Sequence, residues 1–214
     1  MNRHFRLSST LSASLLLASV GAWAGEPRAA PTPSRAERPT SAAAACVDLR
    51  GDLVQAAGAA GVPIHAEQFG MTTTEDFSFA GFSIAGNEQT PATQFGTGVE
   101  SAFVYLNAPG SGIPAGFYRL VARADPRDIR IGNYSGFVDF QALDGSTSAS
   151  VVATFNTPSL SAPNQPNVPL VGYSSGISVG SGFLTINAKS YSSVWLSLLY
   201  SNGTVLQLVV AING

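Results

Sequence analysis

The sequence predicts an all-β protein: an antiparallel β-sandwich of about nine strands, with a β-barrel as the alternative, behind one short helix. Three observations predict it. After Pro63 no apolar pattern of helical spacing remains, and the chain is written in short runs of aromatic and β-branched residues. Gly, Pro, Asn and Ser separate those runs, as turns require. Finally, VWLSLLY and VLQLVVAI, runs of seven and eight residues, flank Asn202-Gly203 and read as a β-hairpin.

Along the chain, Arg3 and Arg6 precede a short apolar run from Leu11 to Val20 and the small-residue pattern Ala22-Trp23-Ala24. That order is a secretory signal peptide over residues 1–24, with cleavage before Gly25. Residues 25–45 hold Pro27, Pro31, Pro33 and Pro39 and no apolar side chain larger than Ala, which makes them an expected disordered Ala/Pro-rich tether. Residues 46–62 form the expected helix: Leu49, Leu53, Ala56, Ala57 and Ala60 recur at helical spacing until Gly61-Val62-Pro63 stops them. This helix is placed as a cover for one face of the terminal hairpin.

Residues 63–214 are read as one β-sandwich domain. Strands are expected at Phe77–Ala85, with Gly81 as a bulge, and at Val99–Leu106, Phe117–Ala124, Phe137–Leu143 and Ser148–Phe155. Beyond the proline-rich stretch from Pro158 to Pro169, further strands are expected near Leu170–Tyr173 and Gly182–Ala188. In the hairpin, a two-residue type I′ turn at Asn202-Gly203 sets Leu199 opposite Leu206, Ser197 opposite Leu208 and Trp195 opposite Val210. Val194, Leu196, Leu198, Tyr200, Val205 and Val209 then fall on the other face. A hairpin apolar on both faces is expected to be covered on both, at the centre of the fold.

Charged residues make up 11% of the chain, against about 25% in an average soluble domain. Arg119, Arg123, Asp125, Arg127, Asp128, Arg130, Asp139 and Asp144 crowd between Phe117 and Gly145, and from Gly145 onward Lys189 is the sole charge. One edge is therefore expected to be ionic and the rest neutral and hydroxyl-coated. Such a surface gives nucleic acid no basic patch. It suits either a plain low-charge secreted protein or one that packs against another copy, a polymer or a membrane.

Most catalytic patterns lack a partner. Gly-x-Ser-x-Gly occurs around Ser174 and Ser178, but a hydrolase elbow needs a later histidine, and the one histidine after residue 24, His65, lies upstream. The Gly110-Ser111-Gly112-Ile113-Pro114 stretch is interrupted by proline where a dinucleotide site needs a helix. One cysteine, Cys46, permits no internal disulfide and, with His65, no zinc site. Calcium on Asp125, Asp128 and Asp139 competes with neutralisation by Arg127 and Arg130. No metal and no cofactor is expected. Glu75 with Asp76, or Asp125 with Asp139, remain as carboxylate pairs of the glycosidase kind, with turn-forming acids as the simpler reading.

The ligand-binding candidates are Tyr173 and Tyr191, beside Gly/Ser-rich turns, and Arg119 and Arg123 on one strand face; Trp195 is assigned to the buried hairpin. The sequence thus points to an exported, non-catalytic binding or assembly protein, adhesin-like or matrix-like, in a bacterial envelope or outside it, extracellular or periplasmic. Its expected partners are another copy or a cell-surface glycan or protein, with no nucleic acid and no membrane-spanning helix. An outer-membrane β-barrel and a secreted carbohydrate-active hydrolase using two carboxylates are the alternatives.

Overall fold

Nine antiparallel strands form one sheet in the order β1-β2-β3-β4-β5-β6-β9-β8-β7. The computed structural model describes residues 48–160 and 173–212; the expected signal peptide, tether, Cys46 and most of the strand near Leu170 lie outside them. The elements are α1 (Leu49–Ala59), β1 (Ile64–Thr73), β2 (Ser78–Ile84), a short 3-10 turn (Ala92–Gly96), β3 (Val99–Asn107), β4 (Gly116–Arg123), β5 (Gly132–Ala142), β6 (Thr147–Thr157), β7 (Gly176–Ile186), β8 (Lys189–Leu199) and β9 (Val205–Ile212). β1 to β6 form a meander. β7 to β9 fold back so that β9 lies against β6, a Greek-key return.

The sheet curls until its two edges meet, and of the two expected all-β arrangements this is the barrel. Gly70 of β1 lies against Val179 of β7, so closely that a Cβ at Gly70 would sit 3.0 Å from the Val179 nitrogen. Gln68 Nε2 donates to Ser175 Oγ at 3.1 Å, and Thr72 Oγ1 donates to Ser181 Oγ at 3.2 Å. With nine strands alternating in direction, β1 and β7 run parallel, and no ladder of backbone bonds joins them among the described pairs.

The interior is apolar. Phe79, Phe95, Leu106, Leu120, Phe140, Phe155, Leu196 and Leu208 are all but completely buried there, and on β5 and β6 the buried Tyr134, Val138, Phe140, Ala153 and Phe155 alternate with outward side chains. A second cluster lies outside the barrel wall. Leu53 and Ala57 of α1 pack on Ala80, Phe82, Ile84 and Phe103. The helix begins at Asp48, whose Oδ1 accepts from Gly51 N at 3.0 Å, and ends in a Schellman cap. There Val62 N donates to Ala57 O at 2.9 Å and Gly61 takes φ 65°.

The helix therefore covers β1, β2 and β3 and not the terminal hairpin. The strands buried on both faces are accordingly β2 and β3, whose residues from Phe79 to Ile84 and from Ser101 to Val104 are all buried. The terminal hairpin is covered on its inner face alone. Its register also differs by one residue from the expected one: Leu198 pairs with Leu206, Leu196 with Leu208 and Val194 with Val210. A three-residue loop, Ser201 to Gly203, replaces the type I′ turn, with Tyr200 N donating to Thr204 O at 2.9 Å and only Gly203 at positive φ, 84°. Asn202 is committed elsewhere. Its Oδ1 accepts from Thr204 N at 2.9 Å and its Nδ2 donates to Thr90 O at 2.7 Å.

The two-residue turn with both residues at positive φ lies instead between β7 and β8, at Asn187 (51°) and Ala188 (61°). Gly81 is no bulge. Its ladder with β3 is regular, and the glycine is needed because a Cβ would press on Val104. The register breaks in β1, between Ile64 and Phe69, and again in β3 and β5. Finally, β1 carries no sequence signal recognised above, and β7 starts at Gly176, so the second Gly-x-Ser-x-Gly copy is plain strand.

Candidate binding surface

Strand register places two rows of side chains across the outer face of β5, β6, β9, β8 and β7. In the first, Phe137 pairs with Val152, Val209 with Trp195 and Trp195 with Gly180. Continuing the Ala153–Leu208 pairing by one residue sets Val152 beside Val209. All four side chains reach solvent: Phe137 is 43% exposed, Val152 63%, Val209 41% and Trp195 36%. The second row, two residues along each strand, is Ser135, Thr154, Gln207, Ser197 and Ser178. Five strands at the usual spacing give each row a length of about 19 Å.

Trp195 is thus on the outside, contrary to the buried position expected from the sequence, because the hairpin is covered on its inner face alone and the register sets Trp195 beside Val209 on the outer one. Its indole lies across Gly180. A Cβ there would collide with the fused-ring atoms of the indole. The ring is backed by the Gly180 backbone, which has no side chain to displace it. Beside the polar row, Asn133, Asn156, Thr154, Gln207 and Val205 line an open groove of about 220 Å³. Asn156 Nδ2 donates to Asn133 Oδ1 at 2.7 Å, leaving each amide one unshared end.

Arg123 closes the apolar row on the β4 side. Its guanidinium lies 5.2 Å from the centre of the Phe137 ring and binds Asp139 through Nε (2.7 Å) and Nη2 (3.2 Å). Burial raises the Asp139 carboxyl, but the hydrogen bonds from Arg123 and Ser150 outweigh it and hold the acid below its ordinary range. Asp139 is therefore held as the anion of the Arg123 pair. Arg123 is its neutraliser, the part expected of Arg127 and Arg130. Asp125 accepts from the backbone N–H of Arg127 at 2.9 Å, and Arg130 Nε donates to Asn133 O at 3.0 Å. Among the described residues no three His, Cys, Asp or Glu side chains converge as metal ligands.

The other sequence candidates scatter. Arg119 serves the helix, donating through Nη2 to Ala60 O at 2.7 Å and through Nη1 to Glu100 at 3.2 Å. Tyr173 is 52% exposed and lies over the β8–β9 loop, its N–H donating to Ser201 O at 3.2 Å. Tyr191 is half-buried at the far end of β8, about 27 Å of strand away. The two tyrosines do not form one site. Ser178 belongs to the polar row, and Ser174 precedes β7, which runs on into β8 with no helix.

A second polar cluster sits where β1 is irregular. The His65 ring lies between Glu67 (3.0 Å from Nδ1) and Glu88, with Gln68 bridging Ser83 and Ser175 nearby. The Glu88 carboxyl is held low chiefly by the Gly86 N–H, then by its own N–H and by His65. With both ring nitrogens on carboxylates, His65 is not set to activate a serine. The neighbouring cavity offers about 20 Å³, room for a water and not for a ligand.

The described residues contain no helix long and apolar enough to cross a membrane, and a single cysteine gives no internal disulfide. Comparison of the chain with protein-family models, with curated proteins and with solved structures returns no match.

Proposed function

We propose that this is an exported, non-catalytic binding module that engages its partner through the outer face of β5, β6, β9 and β8. One observation carries the reading: Phe137, Val152, Val209 and Trp195 form a continuous exposed apolar row on a barrel whose interior is already filled. Nothing about packing the core requires those four side chains to be apolar. The filled interior also weighs against the outer-membrane alternative, in which the lumen is polar and the apolar band encircles the outside. Around the row the outer face is hydroxyl and amide.

Export rests on residues 1–24, and the N-terminus of the protein recovered from the secreting host is expected to be Gly25; an intact Met1 in that fraction would refute it. Binding is tested by co-sedimentation of the full chain with the insoluble envelope of its host, wild type against Val152→Asp. Val152 is so exposed that the variant is expected to keep the fold, seen as an unchanged melting temperature, and to lose about tenfold in binding. Sedimentation indifferent to the aspartate would remove this face from the function.

A further inference from the structure

We infer that the ligand of this face is an uncharged glycan chain lying across the strands, with a sugar ring stacked on Trp195 and its hydroxyls on the row of Thr154, Gln207 and Ser197. This inference rests on the binding-module reading and names its ligand. Three features of the face select that chemistry.

The first is the pairing of rows. A pyranose presents C–H bonds on its ring faces and hydroxyls at its rim, and so needs an aromatic plane beside groups that both donate and accept. Trp195 is such a plane, backed by Gly180. Every side chain of the neighbouring row is a hydroxyl or a primary amide, and each of those both donates and accepts.

The second feature is charge. Neither row contains an ionisable side chain, and the one cation at its end, Arg123, is already bound through two nitrogens by Asp139. A phosphate, sulfate or uronate chain would find no counter-charge. An acidic or basic peptide would be no better served.

The third is the kind of surface. Extended peptides recognised by strand addition need an open sheet edge, whereas the one edge these rows reach, β7, lies against β1, and the ladders of β5, β6, β9 and β8 use their backbone groups. A second copy of the chain fits poorly too. Four partly exposed side chains offer on the order of 300 Å², less than half of the roughly 800 Å² per partner that a standard interface buries. A chain one sugar wide matches a track about 19 Å long and two residues broad.

The test is native gel electrophoresis of the full chain through gels cast with dextran, hydroxyethyl cellulose or galactomannan, and with heparin as the charged comparison. Retardation is expected in at least one neutral gel and not in heparin. Trp195→Ala is expected to weaken it about tenfold. Should that variant unfold, Gln207→Leu and Thr154→Val, both exposed and of conserved size, test the polar row and are expected to weaken retardation severalfold. No retardation in any neutral gel overturns the inference, as does retardation that all three variants preserve. Periodate, which cleaves vicinal diols, separates this inference from the reading beneath it. Envelope binding that Val152→Asp abolishes but periodate treatment of the envelope leaves intact would overturn the glycan and keep the binding face.

Discussion

Ala188 holds a φ of 61° with a side chain that resists it, and the adjacent Asn187 shares the turn at 51°. Asparagine tolerates that region through its short polar side chain; alanine does not, and carries about 1 kcal/mol of strain. Ala188→Gly is therefore expected to raise the melting temperature by about 2–4 °C, as read by circular dichroism. A fall would mean that the entropy added to the unfolded chain exceeds the strain released. Asp139 makes a second residue-scale expectation. Its folded pKa lies below the unfolded value near 3.9, so its contribution to stability is present above that value and is lost as pH falls through the folded one. Urea melts at successive pH values should show a shallower loss of stability below about pH 4 for Asp139→Asn than for wild type. Equal slopes would show that the Arg123 pair does not couple to folding.

Among the elements, α1 stabilises the barrel from outside. Leu53 is completely buried between the helix and β2–β3, and Leu53→Ala should cost about 3 kcal/mol in chemical denaturation; a loss below about 1 kcal/mol would mean that the helix is incidental to the fold. This element was legible, since Leu49, Leu53 and Ala57 repeat every four residues and a Gly-x-Pro stop follows. The terminal hairpin was legible as a hairpin but not in register. Asn202-Gly203 has the composition of a two-residue turn, and only a partner 112 residues away, Thr90, draws the asparagine into a longer loop. The helix expected to cover one face of the hairpin packs on β1, β2 and β3 instead, which leaves Trp195 at the surface, and this is why the site escaped the sequence. β1 escaped for another reason. Its bulge after Ile64 breaks the alternation that marks a strand, and half of its side chains are polar, Gln68 and Thr72 among them bonding across the seam. The two rows themselves are set by register among five strands, and no local pattern contains that information.

At the scale of the molecule, the barrel is closed by side chains along one line. Thr72 and Ser181 face each other across it with their hydroxyls 3.2 Å apart. Replacing both with cysteine, and Cys46 with serine, should allow a disulfide whose loop of about 110 residues stabilises by about 4 kcal/mol. The oxidised form is expected to melt well above the reduced form and to slow amide exchange in β1 and β7. Identical behaviour of the two forms would show that the seam does not open before the rest unfolds.

The position of β9 between β6 and β8 bears on how the chain is made. A ribosome delivers β7 and β8 before β9, so the hairpin that carries Gly180 and Trp195 has no ladder to join, and only the β1 seam to meet, until the strand that must slip in beside it has emerged. The first six strands can zip up in the order of synthesis, each against the one before. The last three must wait, and the face bearing the tryptophan comes into being only when the sheet is finished. A chain with this wiring holds its barrel open along the line between β6 and β8 until its last strand is in place.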